Sequence, residues 1–261
     1  MRAGTDFYRW ANQAFETNKT GPLTIATGNL AAWLSFPVIS DRYEEMATML
    51  EKQDHAAYLP AGTHETVAAG YKAQMLSFAD ALRSNHTAFY NLALSGSPGN
   101  GIQVDLHPLS RGTVNIDPKS PQAEPVVDYR ALANPMDAKV MADIMRFSRK
   151  YYLNEANQKW GAAEVQPGAR VTSDEDMADY LARTLSPTEY HPAGTCAMMP
   201  LEMGGVVDEE LKVYGVGNLR IVDASVFPTL PGANTCQTTY ALAEKVSGSR
   251  KRQRGMMLTT T

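Results

Sequence analysis

Three stretches between Tyr190 and Lys245 hold residue types that can move a proton or receive a ligand. In the first, Tyr190-His191-Pro192-Ala193-Gly194-Thr195-Cys196, a histidine stands in a stiff loop. Pro192 fixes its own φ and biases His191 toward extended backbone. An imidazole held this way suits a general base near neutral pH; a plain structural or solvent-facing loop histidine fits the same residues. In the second, Leu219-Arg220-Ile221-Val222-Asp223-Ala224-Ser225, a strand-like pattern ends in an acid and two small residues. That places a carboxylate and uncovered N–H groups at a strand end, where α/β proteins receive ligands. An ordinary strand exit with Asp223 capping the turn gives the same pattern. In the third, Pro228-Thr-Leu-Pro-Gly-Ala-Asn234-Thr235 precedes a helix expected over about 236–246. Its free N–H groups and dipole would favour an electron-rich or anionic group, although a capped helix without a ligand reads alike.

The elements that must carry these stretches follow from hydrophobic spacing. Phe7, Trp10, Ala11, Ala14 and Phe15 give a helix over 6–17, stopped by Gly21-Pro22. A short helix is expected over 41–53 and a cleaner one over 63–83, where Val67, Tyr71, Met75, Phe78 and Leu82 recur every three or four residues. Residues 30–39 are apolar without a period and read as a loop over a hydrophobic site. Residues 86–94, 102–106 and 112–116 are short, β-favouring and separated by turn signals, which predicts an antiparallel sheet. A proline-punctuated connector follows over 117–128. Asn134-Pro135 opens a helix to about Tyr152, and Ser173-Asp-Glu-Asp176 opens another to about Thr184.

Composition narrows the remaining classes. The 261 residues carry a net charge of −4, which gives no electrostatic reason to expect nucleic acid or an anionic membrane as a partner. No apolar run of about 18 residues predicts a membrane span, and residues 1–10 lack the apolar stretch of a signal peptide. The default expectation is therefore a cytoplasmic location. Two cysteines, Cys196 and Cys236, do not make a disulfide framework and read as lone thiols. His55, His64, His86 and His107 lack partners at metal-ligand spacing, so no metal site is expected.

Read together, the closing motifs resemble a known family. His191-Pro-Ala-Gly-Thr-Cys-Ala-Met-Met-Pro, Gly204-Gly-Val-Val-Asp208, Val213-Tyr-Gly-Val, Leu219-Arg-Ile-Val-Asp-Ala-Ser-Val-Phe-Pro-Thr, Asn234 and Ala241-Leu-Ala-Glu-Lys follow one another at natural spacing. This string is similar to the C-terminal signature of the glucose–methanol–choline (GMC) flavoprotein oxidoreductases, nearest the glucose oxidase and aryl-alcohol oxidase branch. Ser110-Arg-Gly-Thr-Val-Asn-Ile and Pro125-Val-Val-Asp look like the start of the family's substrate domain. The likeness is strongest over 103–247.

The resemblance implies FAD as cofactor and a small-molecule alcohol as substrate, with His191 as the base that takes the alcohol proton. Asn234 matches the family's second catalytic position, where an asparagine donates a hydrogen bond but cannot act as a base. Asp223, Ala224, Asn234 and Thr235 match cofactor-facing positions. The branch also suggests fungal secondary-metabolite biosynthesis. Phe36, Trp33 and Leu34 fall where the family places a lid over the site, and Tyr151, Tyr152 and Trp160 are candidates for a substrate channel or for packing.

One departure bears on all of this. The family's Gly-x-Gly-x-x-Gly fingerprint, which seats the ADP half of FAD, does not occur; Gly99-Asn-Gly101 and Gly215-Val-Gly217 lack its third glycine. The expected fold is accordingly α+β: an antiparallel substrate-domain sheet flanked by helices, plus the C-terminal strand-loop-helix portion of an FAD-binding domain, without the N-terminal Rossmann unit. The expected division is 1–85 as a helical and linker region with part of the substrate domain and 86–190 as the sheet and helices of that domain. Residues 191–247 form the catalytic and flavin-facing segment and 248–261 a disordered tail. A separate N-terminal FAD-binding chain or a homo-oligomer would then be a partner. Two other readings stay open: a truncated or split member without redox activity of its own, and a redox-neutral cyclase of the versicolorin B synthase type.

Overall fold

A computed structural model of the chain describes residues 4–24, 30–94, 101–159 and 161–258. Helix α1 (Asp6–Asn18) starts where the Thr5 hydroxyl accepts from the Tyr8 N–H. Strand β1 (Leu30–Ser35) and the one-turn helix α2 (Phe36–Ile39) replace the loop expected over 30–39. The apolar run has no visible alternation because apolar residues occupy both faces of this edge strand, the exposed Trp33 among them, and Pro37 sits in the first turn of α2, where its missing N–H costs nothing. Helices α3 (Tyr43–Glu51) and α4 (Glu65–Arg83) follow as expected, and Tyr71, Met75, Phe78, Ala79 and Leu82 line the buried face of α4.

Strands β2 (Ala88–Leu94) and β3 (Gly101–Asp105) join β1 in an antiparallel sheet ordered β1-β2-β3. The segment at 112–116 does not extend that sheet. Its strand β4 (Thr113–Asn115) pairs instead with β5 (Val126–Asp128), a strand inside the expected connector, as a separate antiparallel ribbon. Helix α5 (Pro135–Tyr152) is capped by the Asn134 side chain, which accepts from the Met136 N–H. A single turn, α6 (Glu155–Gln158), leads toward α7 (Asp174–Thr184), which opens on a capping box between Ser173 and Asp176. The last helix, α8 (Thr235–Leu258), extends well past the expected end at 246. Helical backbone thus reaches into the segment expected to be a disordered tail; Arg250, Lys251, Arg252, Gln253 and Arg254 are good helix formers and no proline interrupts them.

The main core packs α2, α3, α4, β2, α5 and α7 around Phe36, Met46, Leu50, Met75, Leu82, Phe89, Tyr90, Ile144 and Met177. Alternate residues of β2 face opposite sides of the sheet. Tyr90 meets α5 through a 2.6 Å hydrogen bond with Ser148, while Phe89 stacks edge-on against Phe36 and His107. On the outer side of α5, buried Asp143 receives Ser40, Arg42 and Arg146, and both arginines also reach Asp174, which ties the starts of α3 and α7 to α5. A second, smaller core gathers Val207, Leu211, Val226 and Phe227 under the C-terminal loops. No helix among the described residues is long and apolar enough to cross a membrane.

Candidate active site

The three chemistry-bearing stretches lie against the smaller core and lean on the larger one. Residues 194–198 run beside 224–226 through backbone hydrogen bonds: Gly194 N to Ala224 O at 3.3 Å, Cys196 N to Ser225 O at 2.8 Å and Met198 N to Val226 O at 2.8 Å. Gly194 is required here on two counts. Its φ is 84°, and a Cβ would stand 3.1 Å from the Phe227 carbonyl. Tyr190, just before the histidine, also has a left-handed φ, 60°, and is 92% exposed. A bulky residue rarely adopts that conformation, so His191 enters the loop from a constrained turn.

The expected strand over 219–222 is reduced to a single bridge, Lys212 with Arg220, because the neighbouring chain is a loop rather than a sheet edge. Asp223 caps the short turn that follows, its carboxylate accepting from the Ser225 N–H at 2.8 Å. The turn-capping alternative therefore describes what Asp223 does within the described chain. Ala224 has its carbonyl engaged by Gly194 and by the turn.

Asn234 is placed by three moorings of the loop before α8. The Pro228 carbonyl accepts from Gln74 Nε2 of α4 at 2.7 Å, and Gln74 Oε1 in turn accepts from Arg111 at 2.9 Å. Gly232 presses on the first residue of β2, where an added Cβ would stand 2.9 Å from the Ala88 carbonyl. Asn234 Oδ1 accepts from Asn91 Nδ2 of β2 at 3.2 Å. Asn91 is buried and Asn234 exposed, so the carboxamide stands over the middle of β2 and one residue ahead of α8. The structure brings Asn234 and Thr235 together at the helix start, and Asp223 and Ala224 together beside the His191 loop. Among the described residues no hydrogen bond joins the His191 ring to Asn234 or to any other group.

Several exposed apolar side chains surround these stretches: Leu219 at 48%, Val216 at 50% and Tyr240 at 71%. Trp33 lies exposed on β1 and Phe36 is fully buried against Phe89, so the stretch expected to form a lid is sheet and core. Tyr151 and Tyr152 stack edge-on at the end of α5, and Trp160 lies outside the described residues.

Sequence reasoning passed over the buried polar group beneath the site. Asp105, at the end of β3, keeps some residue surface, but its carboxyl group is enclosed, and desolvation, helped by the charge of Asp137, pushes its pKa up to about 7. Burial also lowers His107 to about 4. The His107 ring nitrogens lie near the backbone of Ala88 and Leu230 without forming a well-aligned hydrogen bond. Asp137 accepts from the Leu109 and Ser110 N–H groups, and Arg111 lies over the rings of Tyr71 and Phe78. The Leu-His-Pro-Leu-Ser-Arg run over 106–111 was the available signal: charged and polar types packed tightly between β-strands.

The sequence pattern of GMC oxidoreductase matches residues 108–243. The chain belongs to the GMC oxidoreductase family. A dehydrogenase of Armillaria gallica is 34% identical over 248 residues, covering 91% of this chain and 38% of that protein. An FAD-dependent oxidoreductase from Chaetomium thermophilum superposes with a TM-score of 0.89 at 29% identity, over 97% of this chain and 44% of that one. A fungal aryl-alcohol oxidase superposes with a TM-score of 0.84 at 35% identity, over 94% of this chain and 42% of that one. The chain spans little more than a third of the length of the curated relatives it matches. These GMC neighbours share its α+β arrangement of helices around small antiparallel sheets.

Proposed function

We propose that this chain supplies the proton-handling part of an FAD-dependent site that oxidises an alcohol. The observation that carries the reading is the mooring of Asn234: a loop pinned at Pro228, Gly232 and Asn234 presents a carboxamide on the open side of the molecule, at the start of α8. Two observations support one edge of a flavin here. Asn91 Oδ1 is buried without a partner beside Asn234, and the surrounding Leu219 and Tyr240 are uncovered. Asp223, Ala224, Asn234 and Thr235 would face the cofactor, and the N–H groups at the start of α8 would favour electron density placed there.

FAD, when bound, supplies a hydride acceptor for the carbon that bears the hydroxyl. His191 takes the hydroxyl proton on a ring nitrogen, a task its stiff loop and unengaged imidazole suit. Asn234 has no proton to surrender near neutral pH; it donates a hydrogen bond through Nδ2 to the substrate oxygen and so favours the alkoxide-like charge that develops there. The fungal relatives and the branch the motifs resemble favour a secondary-metabolite alcohol. The ADP half of the cofactor needs a cradle this sequence does not encode. We place that cradle in a polypeptide corresponding to the remainder of the relatives' length, either continuous with this one or separate.

The test is to supply the chain, both fused and mixed, with FAD and the N-terminal portion of the aryl-alcohol oxidase relative, and then to offer an aryl alcohol. The expected result is bound flavin absorbance that fades on anaerobic addition of the alcohol. Lack of flavin absorbance in both formats overturns the reading.

A further inference from the structure

Asn91 interrupts an otherwise apolar strand, Phe89-Tyr90-Asn91-Leu92-Ala93-Leu94. It is only 6% exposed, yet packing does not account for it, since its Oδ1 is buried with no partner and its Nδ2 is directed at Asn234. A carboxamide presents either an acceptor or two donors to a ligand, depending on a rotation that costs little when the residue is exposed. Asn234 is exposed, so something else must decide which end faces outward. We propose that Asn91 is a positioning residue: by donating to Asn234 Oδ1 it turns the Asn234 NH2 group toward the open side, as a committed hydrogen-bond donor.

The opposite arrangement, with Asn91 Oδ1 accepting from Asn234, takes from the buried NH2 of Asn91 the hydrogen bond it makes. Native structures tolerate an unpaired buried carbonyl oxygen better than an orphaned N–H, so the observed arrangement leaves the cheaper group alone. The strand fixes where that donor sits: Asn91 is paired in register with Trp33 on β1 and Val104 on β3, and burial of its side chain restricts the room in which its amide can turn. The orientation is also the one that alcohol oxidation needs, because an outward Oδ1 would repel the substrate oxygen as negative charge builds on it. In that respect the inference rests on the proposed function, but the orientation itself does not.

Two substitutions separate the possibilities. Asn91→Asp keeps the shape but can only accept when ionised, so Asn234 must rotate and donate inward. Asn91→Leu removes the contact without imposing a rotation. The first readout needs no cofactor: the side-chain amide protons of Asn234, followed by 15N–1H NMR on the full chain. In the native protein they should exchange with solvent freely while those of Asn91 are protected; in Asn91→Asp the Asn234 protons should become protected, and lowering the pH until the carboxyl protonates should reverse this. Asn234 protons that exchange equally fast in both proteins, with the spectra otherwise folded, overturn the proposal. If Asn91→Asp does not fold, the native protein and Asn91→Leu decide it: in the first the Asn91 amide protons should be protected and in NOE contact with the Asn234 β-protons, and in the second the Asn234 side-chain amide resonances should shift. The same spectrum for both overturns it. In the flavin-loaded protein, Asn91→Asp should lower kcat by roughly 10-fold to 100-fold and Asn91→Leu by less, with KM little changed. A native orientation seen by NMR in a protein that oxidises no alcohol would sink the functional reading and leave the positioning role standing.

Discussion

The two cores of this molecule hold their chain in different ways. Around α3, α4, β2 and α5, large side chains such as Met46, Leu50, Met75, Leu82 and Ile144 are fully buried and interlock. Around 191–234 the buried side chains are Val207, Leu211, Val226 and Phe227, beside buried Gly205, and the chain is held by backbone hydrogen bonds along 194–198 and 224–226. Side-chain interlocking makes stability sensitive to residue volume. A rail of backbone bonds fixes the path of the chain but leaves the side chains on its outer face free for other uses. On the proposed function, stability and chemistry would be carried by separate residues, and the contrast can be attacked from either end.

The largest effect should be functional and leave stability alone. In a flavin-loaded protein, His191→Ala should slow alcohol oxidation by roughly 10² to 10⁴, the usual cost of removing a general base. Its thermal unfolding midpoint should stay put, because no described residue hydrogen-bonds the ring. An unchanged rate would take His191 out of the mechanism, and a large drop in midpoint would erase the distinction between the regions. Leu82→Ala is the mirror image: a fully buried residue of α4 whose truncation should destabilise by about 2–5 kcal/mol in denaturant titration. Leu219→Ala, exposed in the second region, should stay within about 0.5 kcal/mol. Equal losses for the two leucines would show that the second core is as tightly coupled as the first.

The same division explains what could be read from the sequence. Helices α4, α5 and α7 were legible because their signals are local: a 3.6-residue spacing on α4, Asn134-Pro135 for α5, and Ser173 with Asp176 for α7. Strand β1 was not, since its partner β2 lies far along the chain and apolar residues on both faces, exposed Trp33 included, remove the alternation that marks a half-exposed strand. The pairing of β4 with β5 was hidden for a related reason: three-residue strands fall below the length at which any period shows. At the site, His191 and Asn234 stood out through the motifs around them. The residues that hold Asn234 in place, Gln74 and Asn91, did not, because each reads locally as part of an ordinary helix or strand and meets the loop only through tertiary folding. The bare strand at 219–222 failed because an apolar run with an acid at its end does not reveal whether a sheet edge is there to receive it.

Gln74 offers a way to break the contrast, because it joins the two regions. Its amide donates to the Pro228 carbonyl and accepts from Arg111. Gln74→Ala leaves both groups short of a partner and should cost about 1–3 kcal/mol. Hydrogen exchange should localise the damage, with faster exchange in the loop at 229–236 and little change in β2. Exchange that rises equally in the strand would mean that the moorings hold up the sheet rather than the reverse.

The smallest net effect should come from pH, and it arises at the seam between the regions. The folded pKa of Asp105 is about 7, above its ordinary 3.8, so the folded chain binds the extra proton between those values and Asp105 favours folding less as pH rises. The folded pKa of His107 is about 4, below its ordinary 6.5, so here the unfolded chain binds the extra proton and stability rises over that interval. Between about pH 4 and 6.5 the two slopes oppose each other, and these two groups together should leave denaturant stability nearly flat. Removing either exposes the other: Asp105→Asn should make stability climb with pH across that window, and His107→Gln should make it fall from about pH 4 to 7. Because the His107 ring lies beside Leu230, detaching the loop by Gln74→Ala should hydrate the ring and weaken its contribution, giving a slope of the same sign as His107→Gln but shallower. A Gln74→Ala protein as flat as the native one would mean that the loop does not keep water from His107, and that the seam is closed by the first core alone.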